Sequence, residues 1–182
     1  GAAIVNDITA LGGDARSLPL LAERRAAVVL MHMQGEPRTM QRDPRYEDAA
    51  GDVCAWLSSR LDACLAAGIS RERIALDPGI GFGKTLAHNL RILAHLDLYR
   101  PLGCALVIGV SRKSFIARLS GDAPVQKRLP GSLAAGLAAV ARGAHILRVH
   151  DVEETVQAVG IWRAISGAGS GESELEFDGA RV

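Results

Sequence analysis

Aromatic residues are scarce in this sequence, at 4% of the chain; cysteine occurs three times with no C-x-x-C pair, and no block of lysine and arginine stands alone. Each absence removes a class of function. Basic residues interspersed with acids, at a net charge of +1, argue against a nucleic-acid-binding stripe. An odd cysteine count argues against a disulfide framework, and Cys54, Cys64 and Cys104 read as reduced core residues, the first two on one expected helix. No apolar run approaches the roughly 18 residues that a membrane span needs, and no basic segment leads into an apolar one as in a signal peptide. A cytoplasmic protein is therefore expected. The chain starts at Gly1, already inside a strand-like pattern, so a targeting segment cut away ahead of it is compatible with the sequence. What is present, 182 residues at 48% hydrophobic and 23% charged, suits one soluble domain with a real core.

The stretch Arg73 to Thr85, RIALDPGIGFGKT, draws attention first. Its tail resembles G-x-x-x-x-G-K-[ST], the loop that cradles nucleotide phosphates. The register rejects that reading, because the first glycine of the motif would fall on Pro78, which has no N–H to offer a phosphate. What is left is an aspartate at the end of an apolar strand, followed by Gly79, Gly81 and Gly83. That pattern suits the floor of a pocket for a flat polar ligand, with Lys84 and Thr85 starting the next helix.

The same unit recurs along the chain. Ala2 to Val5 ends in Asn6-Asp7, and Asp14 can cap a helix to about Arg25. Ala26 to Met31 ends in His32-Met33-Gln34-Gly35, followed by a helix from about Tyr46 to Ala67 that Gly68 stops. Ile74 to Asp77 leads through the glycine loop to a helix from Thr85 to about Tyr99. Cys104 to Val110 ends in Ser111-Arg112-Lys113-Ser114, and a small-residue helix follows over Ser132 to Arg142. Ile146 to Val149 ends around His150, and Asp151 with Glu154 forms a capping-box pattern for a last helix to about Ile165. Residues 166–182 read as a flexible tail.

Five apolar strands, each followed by a helix, imply a parallel sheet in an α/β fold. A doubly wound sheet would gather ligand groups at one switch point, whereas here nearly every strand ends in chemically active residues. A (β/α)₈ TIM barrel explains that better, since all its strand tips converge on one face. Asn6, Met31, Asp77, Ser111, Lys113, Arg148 and His150 would then meet. A barrel takes about 250 residues and eight units. This chain is expected to supply about the last five.

Several pieces together resemble one family: VNDITAL (Val5 to Leu11), VLMHMQGEPRTMQ (Val29 to Gln41), LDPGIGFGKT with HNL (Leu76 to Leu90), GVSRKSFI (Gly109 to Ile116), RLPGSLAA (Arg128 to Ala135) and ILRVHDVEET (Ile146 to Thr155). In this order they are similar to the signatures of dihydropteroate synthase, which joins a pterin pyrophosphate to para-aminobenzoate in folate biosynthesis. The resemblance implies that residues 1–165 are the C-terminal part of a pterin-binding TIM barrel, and that the first three units are missing. It also implies a Mg²⁺ ion whose ligand lies upstream of this chain, small-molecule substrates and a homodimer of the complete enzyme, with the helix from Ser132 a candidate interface. Alternatives are the pterin-binding module of a corrinoid methyltransferase, disfavoured by GVSRKSFI and the Arg148/His150 pair, and a non-catalytic truncated paralogue.

Residue chemistry stands beside that resemblance. Asp77 can accept paired hydrogen bonds from a pterin's N–H edge, or simply stabilise the Pro78-Gly79 turn. Asn6 can read the remaining ring edge, or satisfy loop backbone. Met31 offers a polarizable wall, or is plain core. Lys113 suits the pterin carbonyl oxygen and the second substrate's cleft, or is a solvated cation. Ser111 suits the carboxylate of para-aminobenzoate and also a helix cap. Phe82, between glycines, reads as a loop aromatic that shields the pocket. Arg148 and His150, two apart and so on one face of a strand, suit a pyrophosphate, or an ion pair with Asp151 or Glu153. The resemblance adds Gly81, Phe82, Gly109 and Arg148 to the pterin site, Phe82 and Lys113 to the para-aminobenzoate site, and catalytic roles for Asp77, Lys113, Arg148 and His150.

Overall fold

Each apolar segment too short for a helix pairs with the next, and each amphipathic segment crosses back over the sheet. The computed structural model describes residues 1–170, in the order β1 (Ile4–Asp7), α1 (Ser17–Glu23), β2 (Ala27–Met31), α2 (Ala49–Ala66), β3 (Ile74–Asp77), α3 (Leu86–Ala94), β4 (Ala105–Ile108), α4 (Ser114–Leu119), α5 (Leu129–Val140), β5 (Ile146–Leu147) and α6 (Val152–Ser170). The strands are all parallel and lie in the order β1-β2-β3-β4-β5. A doubly wound sheet would reverse its strand order somewhere. This one never does, so the chain is five consecutive units of a singly wound (β/α)₈ barrel.

Register decides which residues meet. Asn6 pairs with Val29, Met31 with Asp77, Ala75 with Ala105, and Val107 with Ile146. Since side chains alternate, one face of the sheet carries Asn6, Val29, Met31, Ala75, Asp77 and Val107. The opposite face carries Val28, Leu30, Ile74, Leu76, Leu106 and Ile108, all members of the hydrophobic core. The helices cover that second face. Leu57 and Leu61 of α2 and Ile92 of α3 join it there, fully buried or nearly so. Burial of each such side chain contributes about 1.5–3 kcal/mol.

Two arginines satisfy carbonyls that the short elements leave unpaired. Arg73 donates to the carbonyls of Leu21 at 2.9 Å and Ala26 at 2.7 Å, and also to that of Arg24, closing the turn from α1 into β2. Arg60 of α2 donates to the Ala10 carbonyl at 2.9 Å and steadies a loop in which Ala10 and Leu11 both take positive φ. Gly68 follows α2 at φ +87°, the left-handed stop that its lack of a side chain allows. Cys54, Cys64 and Cys104 are free thiols.

Boundaries differ from the sequence expectation in instructive ways. Asp14 accepts from the Arg16 N–H at 2.8 Å, so it shapes the turn ahead of α1 rather than capping its first residue. β5 has only two residues, leaving Arg148, Val149 and His150 beyond the strand. Helix α6 continues to Ser170, so the first five residues of the expected tail are helical; residues 171–182 lie outside the described residues. At the other end β1 pairs with β2 alone among the described residues, and Ile4 is 62% exposed. No helix among the described residues is long and apolar enough to cross a membrane.

Replacing Leu57 by Ala should cost about 2–5 kcal/mol, because α2 cannot collapse onto the sheet to refill the space. A urea unfolding midpoint that does not move would contradict this placement of the core.

Candidate active site at the strand tips

The loops after β2, β3, β4 and β5 leave the same end of the sheet, and Asp77 stands where they meet. Its carboxylate is almost fully buried. Oδ1 accepts from the Gly79 N–H at 2.7 Å, and Oδ2 accepts from the Arg148 guanidinium at 3.2 Å. The turn-stabilising role weighed for Asp77 is thus filled by Oδ1, while Oδ2 is paired with Arg148. Arg148 reaches β3 by lying across β4: a Cβ on Gly109 would come within 2.9 Å of its guanidinium. Glycine at 109 leaves room for the guanidinium to lie close over the backbone.

Lys113 completes the cluster. It is half-buried; its ammonium lies 4.9 Å from the centre of the Phe82 ring and donates to the carbonyl of Ile80. Cation–π contact and carbonyl together hold the charge over the glycine loop. Burial brings the Lys113 pKa down to about 8; Asp77 pushes it back up and Arg148 adds to the lowering. Arg112 beside it takes φ +58°, an uncommon conformation for a side-chain-bearing residue. Three contacts hold it there: its N–H donates to Ser132 Oγ at 2.9 Å, Arg128 donates to its carbonyl at 2.9 Å, and its guanidinium donates to Asp151 Oδ2 at 3.0 Å. The anchored Arg112 aims Lys113 inward.

Ser111 and His150 pair with each other. His150 Nδ1 lies 3.0 Å from Ser111 Oγ, which also accepts from the His150 N–H at 3.2 Å. Ser111 does not cap the following helix, whose preceding residue is Lys113 and which has no side-chain cap. Nor do Arg148 and His150 form the ion pair considered with Asp151 or Glu153: Asp151 is taken by Arg112, and Arg148 by Asp77. Met31, fully buried, is the register partner of Asp77. Asn6 shares their face of the sheet but lies on the exposed edge strand.

The glycine loop works differently from the open floor expected. Gly79, Gly81 and Gly83 all have positive φ. A Cβ at residue 79 would lie 1.9 Å from the His32 carbonyl oxygen, and one at residue 83 would lie 2.3 Å from that of Gln34. The glycines let this loop lie directly against the β2 loop. Tyr46 Oη ties the two further, donating to the Gly83 carbonyl at 2.8 Å, and Asn89 Oδ1 of α3 accepts from the Gly81 N–H at 2.7 Å. Thr85 does begin α3, in a capping box with His88. Lys84 does not; it is 3% exposed, with Nζ 2.9 Å from His32 Nδ1 and 2.9 Å from the Phe82 carbonyl. Burial lowers its pKa to about 7. Sequence reasoning missed Lys84, His32 and Arg112; the HNL piece, which contains Asn89, was the only pointer toward this network.

Among the described residues no group of three His, Cys, Asp or Glu side chains is placed to hold a metal ion. Asp77 is the one buried carboxylate at these strand tips among the described residues and is already paired with Arg148, so the residues present do not fit a Mg²⁺ site.

Comparison with known proteins bears on this geometry. The profile of the family described as "Pterin binding enzyme" matches residues 1–150. The chain is 48% identical over 168 residues to dihydropteroate synthase of Neisseria meningitidis serogroup B, covering 91% of this chain and 59% of that protein. The crystal structure of dihydropteroate synthase from Stenotrophomonas maltophilia with active-site-bound imidazole matches with a TM-score of 0.88 at 44% identity, over 91% of this chain and 62% of that one. Dihydropteroate synthase from Xanthomonas albilineans in complex with 7,8-dihydropteroate matches with a TM-score of 0.84 at 42% identity, over 91% and 62%. The chain thus spans about three-fifths of the length of these relatives.

The buried cations make stability depend on pH. Lys84 and Lys113 release their protons near pH 7 and 8 in the folded chain but near 10.5 when unfolded. Between those values the unfolded state binds more protons, so stability rises with pH across that window and is lost as pH falls through about 7. Urea midpoints from pH 6 to 10 should show that rise, flattened in Lys84→Met and in Lys113→Met. Separately, Gly79→Ala should lose about 1–3 kcal/mol from its left-handed φ alone, before the clash with His32.

Proposed function

Because the chain belongs to the family of pterin-binding enzymes, we propose that it forms the C-terminal part, residues 1–165, of a dihydropteroate synthase and carries most of its substrate-binding groups. One observation supports this above the rest: a buried carboxylate, a guanidinium and a half-buried ammonium, on Asp77, Arg148 and Lys113, converge at the tips of three adjacent strands.

In this reading the pterin lies flat against Met31 with its N–H edge toward Asp77. The Gly79 N–H fixes the carboxylate plane, and each oxygen retains a lone pair for the ring. Asn6 serves the remaining edge once a neighbouring strand covers β1. Lys113 donates to the pterin carbonyl oxygen above Gly81 and Gly109. Para-aminobenzoate enters beside Phe82 and Lys113, with its carboxylate toward Ser111. Arg148 and His150 take the pyrophosphate.

The reaction forms a C–N bond between the aniline nitrogen and the pterin methylene carbon and breaks the C–O bond to pyrophosphate. Pyrophosphate leaves with the bonding pair, and the new ammonium gives its proton to solvent. As the C–O bond lengthens, positive charge spreads into the pterin. The fixed carboxylate of Asp77 opposes that charge in a site with little water. The guanidinium of Arg148, a planar donor that remains charged throughout, offsets the charge growing on the leaving group. Its ion pair with Asp77 in the free chain neutralises both groups until substrates separate them.

The wider reading has its own supports. Free thiols at all three cysteines suit a reducing cytoplasm. An apolar groove of about 460 Å³ between α3, α4 and α5, lined by Leu90, Leu93, Phe115 and Ala135, suits a homodimer. Any Mg²⁺ on the pyrophosphate would draw its ligands from residues outside this chain.

Calorimetry of the chain with dihydropterin pyrophosphate tests binding, and a version extended by the three preceding units of a relative tests turnover. The extended protein should form dihydropteroate, and the chain alone should not. Arg148→Ala in the extended protein should lower turnover tenfold or more while shifting pterin affinity less. Equal losses in both would remove the leaving-group role.

A further inference from the structure

Lys84 is a buried lysine with three acceptors and no part in the chemistry above. Its ammonium has three N–H groups. They face His32 Nδ1 at 2.9 Å, the Phe82 carbonyl at 2.9 Å and the His32 carbonyl at 3.5 Å. His32 is itself 5% exposed and stacks edge-on against Trp56, ring centres 4.9 Å apart. A lysine is expensive to bury, and a merely structural contact here would be made more cheaply by an apolar side chain. The two loops it joins are the two that flank Asp77.

Resting on the pterin reading, we infer that Lys84 is a positioning residue of the pterin cleft: its ammonium locks the β2 loop, through His32, onto the glycine loop that carries Asp77 and Phe82. The contacts run in one direction. Lys84 holds the Phe82 carbonyl; the Phe82 N–H donates to the Gly79 carbonyl at 3.0 Å; and the Gly79 N–H fixes Asp77 Oδ1. On the other side, the His32 N–H donates to the Asp77 carbonyl at 3.0 Å. Lys84 thus reaches the carboxylate from its side-chain end and its backbone end together. The charges facing Lys84 are few: His32 across the bond, Asp77 favouring its protonation and Lys113 opposing it. His32 stays neutral as the acceptor, its pKa brought down to about 3 by burial first and by Lys84 second. With Lys84 protonated, Nδ1 is the acceptor and the ring proton sits on Nε2.

The test compares wild type with Lys84→Met, which keeps the length and removes the charge. Three readouts are needed: amide exchange at Gly79 and Phe82, the imidazole nitrogen shifts of His32 against pH, and dihydropterin affinity by calorimetry. Expected results are at least tenfold faster exchange at both amides with the β2–β3 ladder unchanged, a His32 pKa that rises toward its ordinary value, and at least tenfold weaker pterin binding. Unchanged loop exchange or an unchanged His32 pKa overturns the lock. Faster exchange with pterin affinity intact overturns the positioning role. If wild type binds no pterin, the proposed function fails while exchange and titration still judge the lock. Should Lys84→Met not fold, His32→Phe keeps the ring against Trp56 and removes the acceptor, and the same loop amides must then exchange faster.

Discussion

The carbonyl oxygen of His32 occupies the space that a Cβ at residue 79 would need. That close approach of two backbones governs the strand-tip end of the molecule. It requires glycine at 79 and, by the parallel contact with Gln34, at 83. It brings the β2 loop over the β3 loop, so that Lys84 turns inward to His32 instead of outward to water. It also places the Gly79 N–H under Asp77. A one-carbon change at residue 79 would disturb the site through backbone alone.

Around that contact and along the sheet, several cations are held by specific partners. Arg73 and Arg60 are spent on carbonyls where short elements end, and Arg112 on Asp151. Arg148 is held by the only fully buried carboxylate of the cluster. Lys113 lies against an aromatic ring and a carbonyl. Burial makes the lysine protons easier to lose, which is the cost of keeping donors in a site with little water. In the proposed function, a ligand whose edge offers N–H groups and whose tail offers phosphate oxygens takes up these donors and acceptors.

The barrel units were legible because short, near-continuous apolar runs rich in β-branched residues, such as Val28 to Met31, suit strands buried on both faces, and the helices between them carry their own stops. The members of the site were legible as strand-tip residues: Asp77, Lys113, Arg148 and Ser111 all fall there. Their partners were not. The Asp77–Arg148 pair spans 71 positions of sequence and passes close over the backbone of Gly109. The placement of Lys84 beside His32 spans 52 positions and depends on loop packing that no local pattern encodes. Element ends were likewise misjudged where tertiary contacts intervene, as at β5, which stops after two residues as Arg148 turns toward Asp77.

By itself, then, the sequence determined the alternation of strands and helices, the parallel sheet, and which side chains stand at the strand tips, since all of these follow from hydrophobic period and local punctuation. Only the tertiary structure decided which of those tips touch. Long-range pairing depends on strand register and on the space left by glycines, and neither is a property of any single segment. The stretch from Arg73 to Thr85 shows both: its Asp and its glycines announced a site, and the fold alone turned its lysine from a helix start into a buried donor.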